Sequence, residues 1–503
     1  MQKGFIRNYR PLELLTEEQV AALHRAVLDV LRETGLTFHS ERALKDLAGY
    51  GCQVDYDIMR VRFPEYLVEE AIRRCPSSYR VRARDPKDDI ILGGDTVHFM
   101  SFPGMQTVDL ETWEPKDPTA RDYEDMVRVL DALPNLHTMG PYPYFGYENV
   151  PSVMRVLEGA ALEIRGSTKL RLPPPPNDCD QFHIEMMRAT GGECFLPVDA
   201  SAPLEWADNQ IRAAYRAVEA GFPMSIVQAT IMGGSGPATI AGTAVHDLAS
   251  ELSMVVLVQM LRPGMRVHLG SFTLPMNMRR GAPGFGRISR SLVKAVESQM
   301  LRHYGIPARD TEVGLVNAKK PDFQTGYEKA LNALASALTG ANLLFMHSGL
   351  YGEMTAHPLQ AVLDDDVAGM VGRFLEGVTV NDETIALELI ESVGPIPGNY
   401  LNTAHTRKWW PLEQSIPRAA DDLTYPEWLQ SGKKDCLDYA RGVMEEILAG
   451  HRVSRPLTPG QEAEIGEILR KAREYYRKRG LILDEEWRLY EEKVLKSPDY
   501  PFV

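Results

Sequence analysis

Residues 398–411 combine side chains that local folding does not require, namely a histidine and threonine pair, two cations and two tryptophans. Trp and Arg are the residue types that most often anchor binding surfaces. We therefore expect a binding or catalytic role for this stretch. The alternative is a well-packed crossing that follows the last unit of the main domain. The residues concerned are His405, Thr406, Arg407, Lys408, Trp409 and Trp410.

A second cluster consists of four aromatic residues within 141–147, where prolines and a glycine disfavour a helix: Tyr142, Tyr144, Phe145 and Tyr147. Aromatic faces at the mouth of a pocket suit a cation that cannot donate hydrogen bonds. The alternative is that these rings only pack against the top of the domain.

Polar side chains also follow the last apolar runs of the chain. Arg309, Asp310 and Glu312 lie in the seventh strand-then-helix unit, and His347 ends the strand of the eighth. We expect His347 to contact the substrate, although a histidine at a strand end often has only a structural role, because both ring nitrogens find backbone partners easily. Gln324 and Tyr351 complete the predicted substrate-binding set.

The glycine-rich segment 233–242 follows another apolar run. Thr239 replaces the third glycine of G-x-G-x-x-G, and no G-x-x-x-x-G-K-[ST] occurs in the chain. The segment therefore predicts a tight turn rather than a dinucleotide site. Its backbone N–H groups, at 233–236, are suited to an anionic group of a ligand.

Several kinds of chemistry lack their sequence signatures. The 12 histidines include no H-x-H or H-E-x-x-H, and no G-x-S-x-G elbow is present. The five cysteines are scattered and contain no C-x-x-C pair. We expect no bound metal, no disulfide framework and no covalent catalysis by a side chain of the protein.

The chain of 503 residues carries 69 acidic and 55 basic residues, a net charge of −14. Nucleic-acid binding is disfavoured because it requires a basic face. The N-terminus lacks a signal-type apolar stretch, and the longest apolar segment, 252–261, is shorter than a bilayer span. These features predict a cytoplasmic protein that does not contact membranes.

Short apolar runs alternate with longer helical patterns from about residue 97 to 380. Helices are indicated at 206–220, 237–261, 289–304, 327–338 and 359–375. The eight predicted strands are 97–101, 136–142, 168–172, 194–198, 223–231, 266–272, 307–313 and 342–347. Eight βα units favour a closed (β/α)8 TIM barrel. We place an N-terminal helical and short-strand addition at 1–115, the barrel at 116–450 and a C-terminal helical extension at 451–503.

The sequence resembles the trimethylamine methyltransferase family, which is corrinoid-dependent. The resemblance covers roughly 10–450 and rests on motifs in the right order: Gly-Ser-Gly-Pro-Ala-Thr-Ile-Ala-Gly at 234–242, Lys-Pro-Asp-Phe-Gln-Thr-Gly-Tyr-Glu at 320–328, Gly-Ala-Asn at 340–342, Ala-His-Thr-Arg at 404–407, and Tyr-Pro-Glu-Trp at 425–428 with Gly432. It implies a TIM barrel, in agreement with the strand pattern.

Some members of that family carry pyrrolysine, whereas this sequence contains only standard residues. It therefore resembles the branch that demethylates quaternary amines such as glycine betaine, proline betaine, carnitine or gamma-butyrobetaine. The resemblance implies that the methyl group passes to a corrinoid (cobalamin) carried by a partner protein, so that this chain binds no cofactor itself. The resemblance also implies a homo-oligomer.

The reaction that the resemblance implies releases a stable neutral tertiary amine, so we expect no catalytic side chain that acts as acid or base. Chemical reasoning then assigns the other roles. Tyr142, Tyr144, Phe145 and Tyr351 are suited to hold the ammonium, with Asp310 or Glu312 supplying negative potential. His347, Arg309 or the 233–236 backbone would meet a betaine carboxylate. His405, Thr406, Arg407 and Trp409 would contact the corrinoid partner. Glycine betaine is the first candidate substrate, and trimethylamine, a TIM-barrel lyase or hydrolase, and a non-catalytic amine binder remain alternatives.

Overall fold

Eight parallel β-strands form the centre of the molecule. The structure is a computed structural model that describes residues 4–102, 104–140, 147–352 and 354–502. The central strands are β1 (Thr96–Ser101), β2 (Thr138–Met139), β3 (Leu170–Arg171), β4 (Leu196–Ser201), β5 (Met224–Met232), β6 (Val267–Leu269, continued by Phe272–Asn277), β7 (Arg309–Asp310) and β8 (Leu343–His347). Each overlaps one of the eight strands predicted from the sequence.

A helix follows each strand, so the chain is an α/β protein built of repeated βα units. The helices are α1 (Ala120–Ala132), α2 (Ser152–Gly166), α3 (Asp180–Thr190), α4 (Asp208–Ala220), α5 (Ile240–Leu261), α6 (Ile288–Tyr304), α7 (Phe323–Thr339) and α8 (Pro358–Glu376). Side-chain caps fix several starts: Thr119 forms a capping box with Asp122, and Asp322 accepts hydrogen bonds from the first turn of α7. The predicted helices at 206–220, 237–261, 289–304, 327–338 and 359–375 are confirmed.

The central strands pair in two parallel sets. One set has the order β3-β2-β1-β8-β7, and the other has β4-β5-β6. Two further contacts join the sets. The Phe195 N–H donates to the Arg171 carbonyl oxygen at 2.9 Å, between β3 and β4, and Leu269 forms a parallel bridge with Ala308, between β6 and β7. Each strand therefore has a neighbour on both sides.

Side chains alternate between the inside of this arrangement and the helices. Met100, Leu170, Phe195, Leu274 and Phe345 belong to one inward-facing core cluster. In contrast, Phe99, Leu344 and Met346 pack against α7 and α8 in another cluster. A charged group on a strand therefore faces the interior or a helix according to its position in this alternation.

A hairpin fills the interior at the amino ends of the strands. Ser78–Val81 and Ile90–Gly93 pair antiparallel, and their buried side chains join the inward-facing cluster. Arg266, just before β6, donates to the Arg80 carbonyl oxygen, and the Tyr79 hydroxyl lies 3.0 Å from His268 Nδ1. Because the hairpin occupies this end, the carboxyl ends of the strands are the side from which a ligand has access.

The other elements surround the central units. Before β1 these are Phe5–Ile6, Glu17–Asp29, Val30–Thr34, Leu36–Phe38, Glu41–Gly49, Gln53–Asp55, Arg60–Arg62, Glu65–Arg74 and Pro86–Asp88. Short elements between the units are Thr107–Val108, Pro115–Lys116, Pro176–Asp178, Glu205–Trp206, Ala282–Pro283, Gly349–Leu350 and Thr355–Ala356. After α8 come Asp382–Ile385, Leu387–Val393, Ala404–Glu413, Tyr425–Gln430, Cys436–Gly450, Pro459–Lys478, Asp484–Tyr490 and Glu491–Leu495.

Helix α5 is long and apolar enough to cross a membrane by length and composition, and it is the one such helix in the described part of the chain. It extends well beyond the apolar segment 252–261. However, 83% of its apolar window is buried inside the protein, where it contacts β5, α6 and the helix Glu65–Arg74. Its apolar character is therefore explained by its place in the core.

Candidate functional site

A partly open surface lies inside the strands near their carboxyl ends. Asp199 on β4, Ile231 on β5 and Phe272 on β6 are only partly buried, and Ala229 on β5 is exposed, although all four lie on strands in the middle of the fold. Central strands normally bury such side chains on both faces. The exposure therefore marks a cavity or cleft at this end, which we call the mouth.

Asp199 supplies a negative charge to the mouth. Its backbone N–H donates to Gln210 at 3.0 Å, but its carboxylate accepts no hydrogen bond from any residue that the structure describes. Burial raises the pKa of this carboxyl group, and the positive charge of Arg309 opposes the shift. A carboxylate in such a place is suited to hold a cation that has no proton to donate.

Arg309 extends from β7 into the same space. Its guanidinium donates to the Ser225 hydroxyl on β5 and lies 4.7 Å from the centre of the Phe345 ring on β8. Its Nε–H is buried and has no hydrogen-bond partner among the described residues. Burial lowers the pKa of Arg309 to about 10, so the group is still cationic near neutral pH. An unpaired guanidinium N–H is suited to the carboxylate of a ligand.

Aromatic rings line the space around these two charges. Phe195 and Phe345 belong to the inward-facing cluster, and the partly buried Phe272 and Phe285 pack against it. His268 lies beneath Phe195, with ring centroids 4.8 Å apart, and burial lowers its pKa well below the usual value. The histidine is therefore neutral, and the mouth combines one carboxylate and one guanidinium with an apolar, aromatic lining.

Asp310 and Glu312, the predicted sources of negative potential, face the opposite side of β7 from Arg309. Arg290 on α6 lies 2.7 Å from the Asp310 carboxylate and 3.2 Å from that of Glu312. Lys294 is 3.5 Å from Glu312. Burial raises the pKa of Glu312 to about 7, with Lys294 opposing. Both acids therefore belong to an ion network between strand and helix, and a role toward the substrate stays a prediction for them.

His347 is fully buried beneath α8. Its Nε2 lies 3.4 Å from Asp365 Oδ1, and its ring packs edge-on against Phe99. Phe99 belongs to the cluster between strands and helices, so the structure places His347 on that side rather than with Arg309. Contact between His347 and the substrate stays a prediction. The placement of His347 beneath α8 does not favour it.

Gln324 and Tyr351 lie in the loops and helix start that follow β7 and β8. Gln324 donates to Glu328 at 2.7 Å, and Lys319 Nζ lies 4.3 Å from the Tyr351 ring centre. The Tyr351 N–H donates to the Ala318 carbonyl oxygen, which joins the two loops. These residues are at the rim of the mouth. The predicted aromatics Tyr142, Tyr144 and Phe145 lie outside the described residues.

The glycine-rich turn after β5 does not offer free donors. The N–H of Gly233 donates to the carbonyl oxygens of Gly236 and Pro237, and those of Gly234, Ser235 and Gly236 all donate to Ile231. These amides satisfy one another within the turn. The interpretation of 233–236 as a tight turn agrees with this geometry, and the backbone is not available to a ligand anion.

The predicted partner-contact residues lie on the helix Ala404–Glu413, at the opposite end of the strands from the mouth. Glu413 of this helix pairs with Arg373 in the last turn of α8 at 2.6 Å. That turn also contacts Asn8, just after the strand that pairs with the start of β1. His405 lies 3.2 Å from the Glu383 carbonyl oxygen, Thr406 donates to Tyr400, Arg407 donates to Asn402, and Trp409 stacks near His405. Their contact with a corrinoid partner stays a prediction.

No group of three or more His, Cys, Asp or Glu side chains that is arranged to hold a metal ion occurs in the described ranges. Burial raises the pKa of Cys52, Cys75 and Cys194 to about 12, so these thiols are protonated. The charged chemistry of the mouth therefore rests on Asp199 and Arg309.

Asp199 was not among the residues singled out from the sequence. It follows the predicted strand 194–198 directly, and carboxyl ends of parallel strands are where such a fold places its functional groups. Its position directly after a predicted strand is therefore the sequence feature that could have identified Asp199 as a candidate site residue.

The geometry defines an α/β protein with a charged, aromatic-lined site at the carboxyl ends of its parallel strands. A family model described as trimethylamine methyltransferase (MTTB) matches residues 1–475. The chain therefore belongs to the trimethylamine methyltransferase family, and it is a methyltransferase of that family.

Relatives in this family have different named substrates. The chain is 28% identical over 488 residues to a trimethylamine methyltransferase MttB of Desulfitobacterium hafniense (strain DSM 10664 / DCB-2), covering 92% of this chain and 94% of that protein. It is also 28% identical over 463 residues to a glycine betaine methyltransferase of D. hafniense (strain Y51), covering 90% and 95%. The crystal structure of a Methanosarcina barkeri monomethylamine methyltransferase (MtmB) aligns with 85% of this chain and 92% of that one, at 13% identity and a TM-score of 0.48.

Proposed function

We propose that this chain transfers a methyl group from a quaternary amine that also carries a carboxylate, with glycine betaine as the first candidate, to the corrinoid of a separate partner protein. The observation that carries the proposal is the pair Asp199 and Arg309, two opposite charges with unused bonding capacity in one aromatic-lined space. A betaine is a zwitterion, and its two ends match these two groups.

The proposal includes a closed (β/α)8 barrel. Its support is the parallel pairing of neighbouring strands, together with the Phe195–Arg171 hydrogen bond and the Leu269–Ala308 bridge that join the two sets. A barrel places its functional groups at the carboxyl ends of the strands, where Asp199 and the rim loops lie.

Trimethylamine is a less suitable substrate for this site. It lacks a carboxylate, so it would leave the buried Arg309 Nε–H unpaired, and its protonated form would bring a second positive charge toward the guanidinium. Overall identity does not separate the two substrates, because the relatives named for each are equally similar to this chain. The argument for a betaine therefore rests on the two charged side chains.

The depth of the two groups indicates how a betaine would lie. Arg309 bonds to Ser225, which is in register with Pro197, two residues before Asp199. With about 3.3 Å per strand residue, Arg309 reaches a level roughly 7 Å deeper than Asp199. The carboxylate of the substrate would bind at Arg309 and its ammonium nearer Asp199, so that the methyl groups face the mouth.

The corrinoid supplies a Co(I) nucleophile for methyl transfer. The C–N bond breaks as the Co–C bond forms, the electron pair of the broken bond stays on nitrogen, and cobalt is oxidised from Co(I) to Co(III). The product is a neutral tertiary amine, so no general acid is needed. The residues of this chain would therefore contribute orientation and exclusion of water, for which Arg309, Asp199 and the phenylalanine rings are placed.

The rim of the mouth offers a docking surface for the corrinoid partner. Phe323, at the start of α7, is 86% exposed, and Met278, after β6, is 79% exposed. The exposed cations Arg279, Arg280 and Lys320 lie in the same loops. Apolar anchors with cations around them suit a protein partner that must bring its corrinoid to this end of the strands.

The test offers the purified chain a panel of methylated amines with a Co(I) corrinoid, free or on a candidate partner protein, and follows the visible spectrum for methyl-Co(III). We expect conversion with a betaine and little with trimethylamine or tetramethylammonium. Conversion with trimethylamine alone would contradict the betaine assignment. No conversion with any amine, with a corrinoid protein that another methyltransferase can methylate, would contradict the proposed reaction.

A further inference from the structure

Glu328 is a buried carboxylate that forms no salt bridge with any cation in the part of the chain that the structure describes. It lies in the second turn of α7 and is 5% exposed. Its two oxygens accept hydrogen bonds of 2.7 Å from neutral groups, the backbone N–H of Asn317 and the side-chain amide of Gln324. Burial of a charge is costly, so these two bonds are what make the position tolerable.

Glu328 lies where the loops that follow β6 and β7 meet. Asn317, in the loop after β7, donates through its side-chain amide to the Phe285 carbonyl oxygen in the loop after β6. A Cβ at Gly286 would overlap the Glu328 carboxylate, so only glycine fits there, and its φ of +66° also favours glycine. The carboxylate therefore packs against Gly286 and bonds to Asn317, which are both immediate neighbours of Phe285.

Phe285 depends on contacts from outside its own loop. Gly284 and Gly286 flank it, and glycine loses more conformational entropy on ordering than any other residue. The ring nevertheless packs against the inward-facing cluster, in the lining of the mouth. A Cβ at Gly352, in the loop after β8, would be 2.7 Å from the ring, so the ring lies directly against that loop. Neighbouring loops and α7 must therefore set the position of this ring.

The family motif at 320–328 is built around the same contact. Asp322 caps α7 by accepting hydrogen bonds from the N–H groups of Gln324 and Thr325 at 2.9 and 3.2 Å. The Thr325 hydroxyl donates to the Lys320 carbonyl oxygen at 2.6 Å. These bonds fix the first turn of α7, from which Gln324 reaches Glu328. The motif therefore sets the direction in which Glu328 meets the two loops.

We propose that Glu328 is a positioning residue that holds the Phe285 ring as a wall for the ammonium of the substrate. The proposal rests on the function proposed above and adds to it a residue that acts through another. An aromatic face attracts a quaternary ammonium through its quadrupole, and the attraction requires the cation to lie over the ring. A displaced ring would therefore weaken binding of the cation, whereas an uncharged group of the same shape would lose little.

The first experiment measures hydrogen exchange of the full-length protein without ligand. The amides of Gly286 and Asn317 should exchange faster in Glu328→Ala than in wild type, by roughly tenfold or more. Glu328→Gln keeps an oxygen that can accept from Asn317, so it should keep the wild-type protection. Equal exchange in wild type and Glu328→Ala would overturn the proposal. This measurement uses no substrate, so its result is separate from the betaine assignment.

The second experiment measures by calorimetry the Kd of glycine betaine and of 3,3-dimethylbutanoate, in which carbon replaces the charged nitrogen. We expect Glu328→Ala to raise the Kd of glycine betaine by about tenfold and that of the uncharged analogue by less than about twofold. Wild-type protein that does not bind glycine betaine would contradict the betaine assignment. Wild-type protein that binds it as tightly as Glu328→Ala does would overturn the role of Glu328 alone.

Glu328→Gln separates positioning from charge in the same assay. It removes the negative charge but keeps a hydrogen-bond acceptor for Asn317, so both Kd values should stay within about twofold of wild type. If Glu328→Gln loses as much affinity for glycine betaine as Glu328→Ala, the charge acts on the substrate directly and the positioning role is wrong.

Phe285→Leu tests whether Glu328 acts through the ring. Leucine is apolar but has no aromatic face, so this change should raise the Kd of glycine betaine by about as much as Glu328→Ala. The double variant should be no weaker than Phe285→Leu alone, because the ring that Glu328 positions is already absent. Effects that multiply in the double variant would show that the two residues act independently, which would overturn the proposal.

The matched control is Glu193→Ala, which removes another buried carboxylate at the amino end of β4. Glu193 is 4% exposed and pairs with Arg266 at 2.7 Å. This change should leave both Kd values at the wild-type level, even if it lowers the unfolding temperature. A similar loss of affinity for glycine betaine in Glu193→Ala would attribute the effect of Glu328→Ala to general destabilisation and would overturn the proposal.

Discussion

Arg309 and Asp199 reach the same interior space from β7 and β4, which lie on different sides of the central strands. Arg309 bonds to Ser225 and not to Asp199, so each group keeps bonding capacity while the charge of one moderates the pKa of the other. The two charges compensate each other across this space, which explains how both are tolerated among phenylalanine rings.

Asp199→Asn should weaken use of a betaine strongly. The change removes the carboxylate charge and keeps the size of the side chain. Loss of one member of a buried charge pair costs about 2–5 kcal/mol, so we expect kcat/KM to fall by roughly 30-fold or more. The measurement is the initial rate of methyl-Co(III) formation against substrate concentration.

The control for this change is Asp57→Asn, which alters an exposed carboxylate in the turn between Gln53–Asp55 and Arg60–Arg62. It should leave kcat/KM within about twofold of wild type, since exposed charges contribute little. Equal rates for wild type and Asp199→Asn would show that Asp199 does not take part in binding the substrate.

Arg309→Met should change selectivity more than overall activity. Methionine keeps an apolar stem against Phe345 but cannot bind a carboxylate. We expect KM for glycine betaine to rise by about tenfold or more, while the inhibition constant of tetramethylammonium, which has no carboxylate, stays the same or falls because a positive charge has been removed. Competition assays with both compounds check this. If the KM for glycine betaine and the inhibition constant of tetramethylammonium rise by the same factor, Arg309 has a structural role and does not bind the carboxylate.

The strands could be predicted because apolar runs recur about every 30 residues between helical patterns, and this periodicity requires no knowledge of distant contacts. The lengths of the strands were harder to predict. The strands predicted at 168–172 and 136–142 have only two residues each in the structure. Prolines adjoin both, including the run 173–176, and a proline has no N–H to donate to a neighbouring strand.

The side of a strand on which a residue lies could not be predicted. Arg309 and Asp310 are consecutive, so one faces the interior and the other faces α6, and a two-residue strand carries no pattern that decides which. For His347, alternation from the inward-facing Phe345 would place it inside as well. The register of β8 shifts between these residues, however, and the histidine turns toward Asp365. Such an irregularity depends on the neighbouring strand and is not encoded locally.

Glu251→Gln should stabilise the protein at high pH. Glu251 on α5 is fully buried, and burial raises its pKa well above the usual value, with Glu297 and Asp247 adding to the shift and Lys294 and Arg309 opposing it. The folded state therefore holds a proton that the unfolded state releases above about pH 4.5, so stability falls as the pH rises through that point. Glutamine is neutral at every pH and avoids this loss.

We expect the free energy of unfolding of Glu251→Gln to exceed that of wild type by on the order of 1 kcal/mol near pH 8, with the difference shrinking toward about pH 5. Thermal unfolding midpoints across this pH range provide the measurement. Glu445→Gln, an exposed glutamate on Cys436–Gly450, is the control and should show no such trend. A difference that is constant with pH would show that repacking, and not the titration of Glu251, causes the effect.

Replacing Phe323 and Arg280 with aspartate should separate partner docking from chemistry. Both side chains are exposed at the rim. In the described part of the chain, neither of them contacts Asp199 or Arg309. Truncation of an aromatic anchor at an interface typically costs about 2 kcal/mol or more, and reversing a rim charge slows association. We expect methylation of a protein-bound corrinoid to fall by roughly 30-fold, while methylation of free Co(I) corrinoid stays near wild type.

The control is Tyr66→Asp, which changes an exposed aromatic residue on Glu65–Arg74 and should affect neither reaction. If both acceptors are methylated equally slowly by the rim variant, then the rim shapes the mouth itself and the partner docks elsewhere.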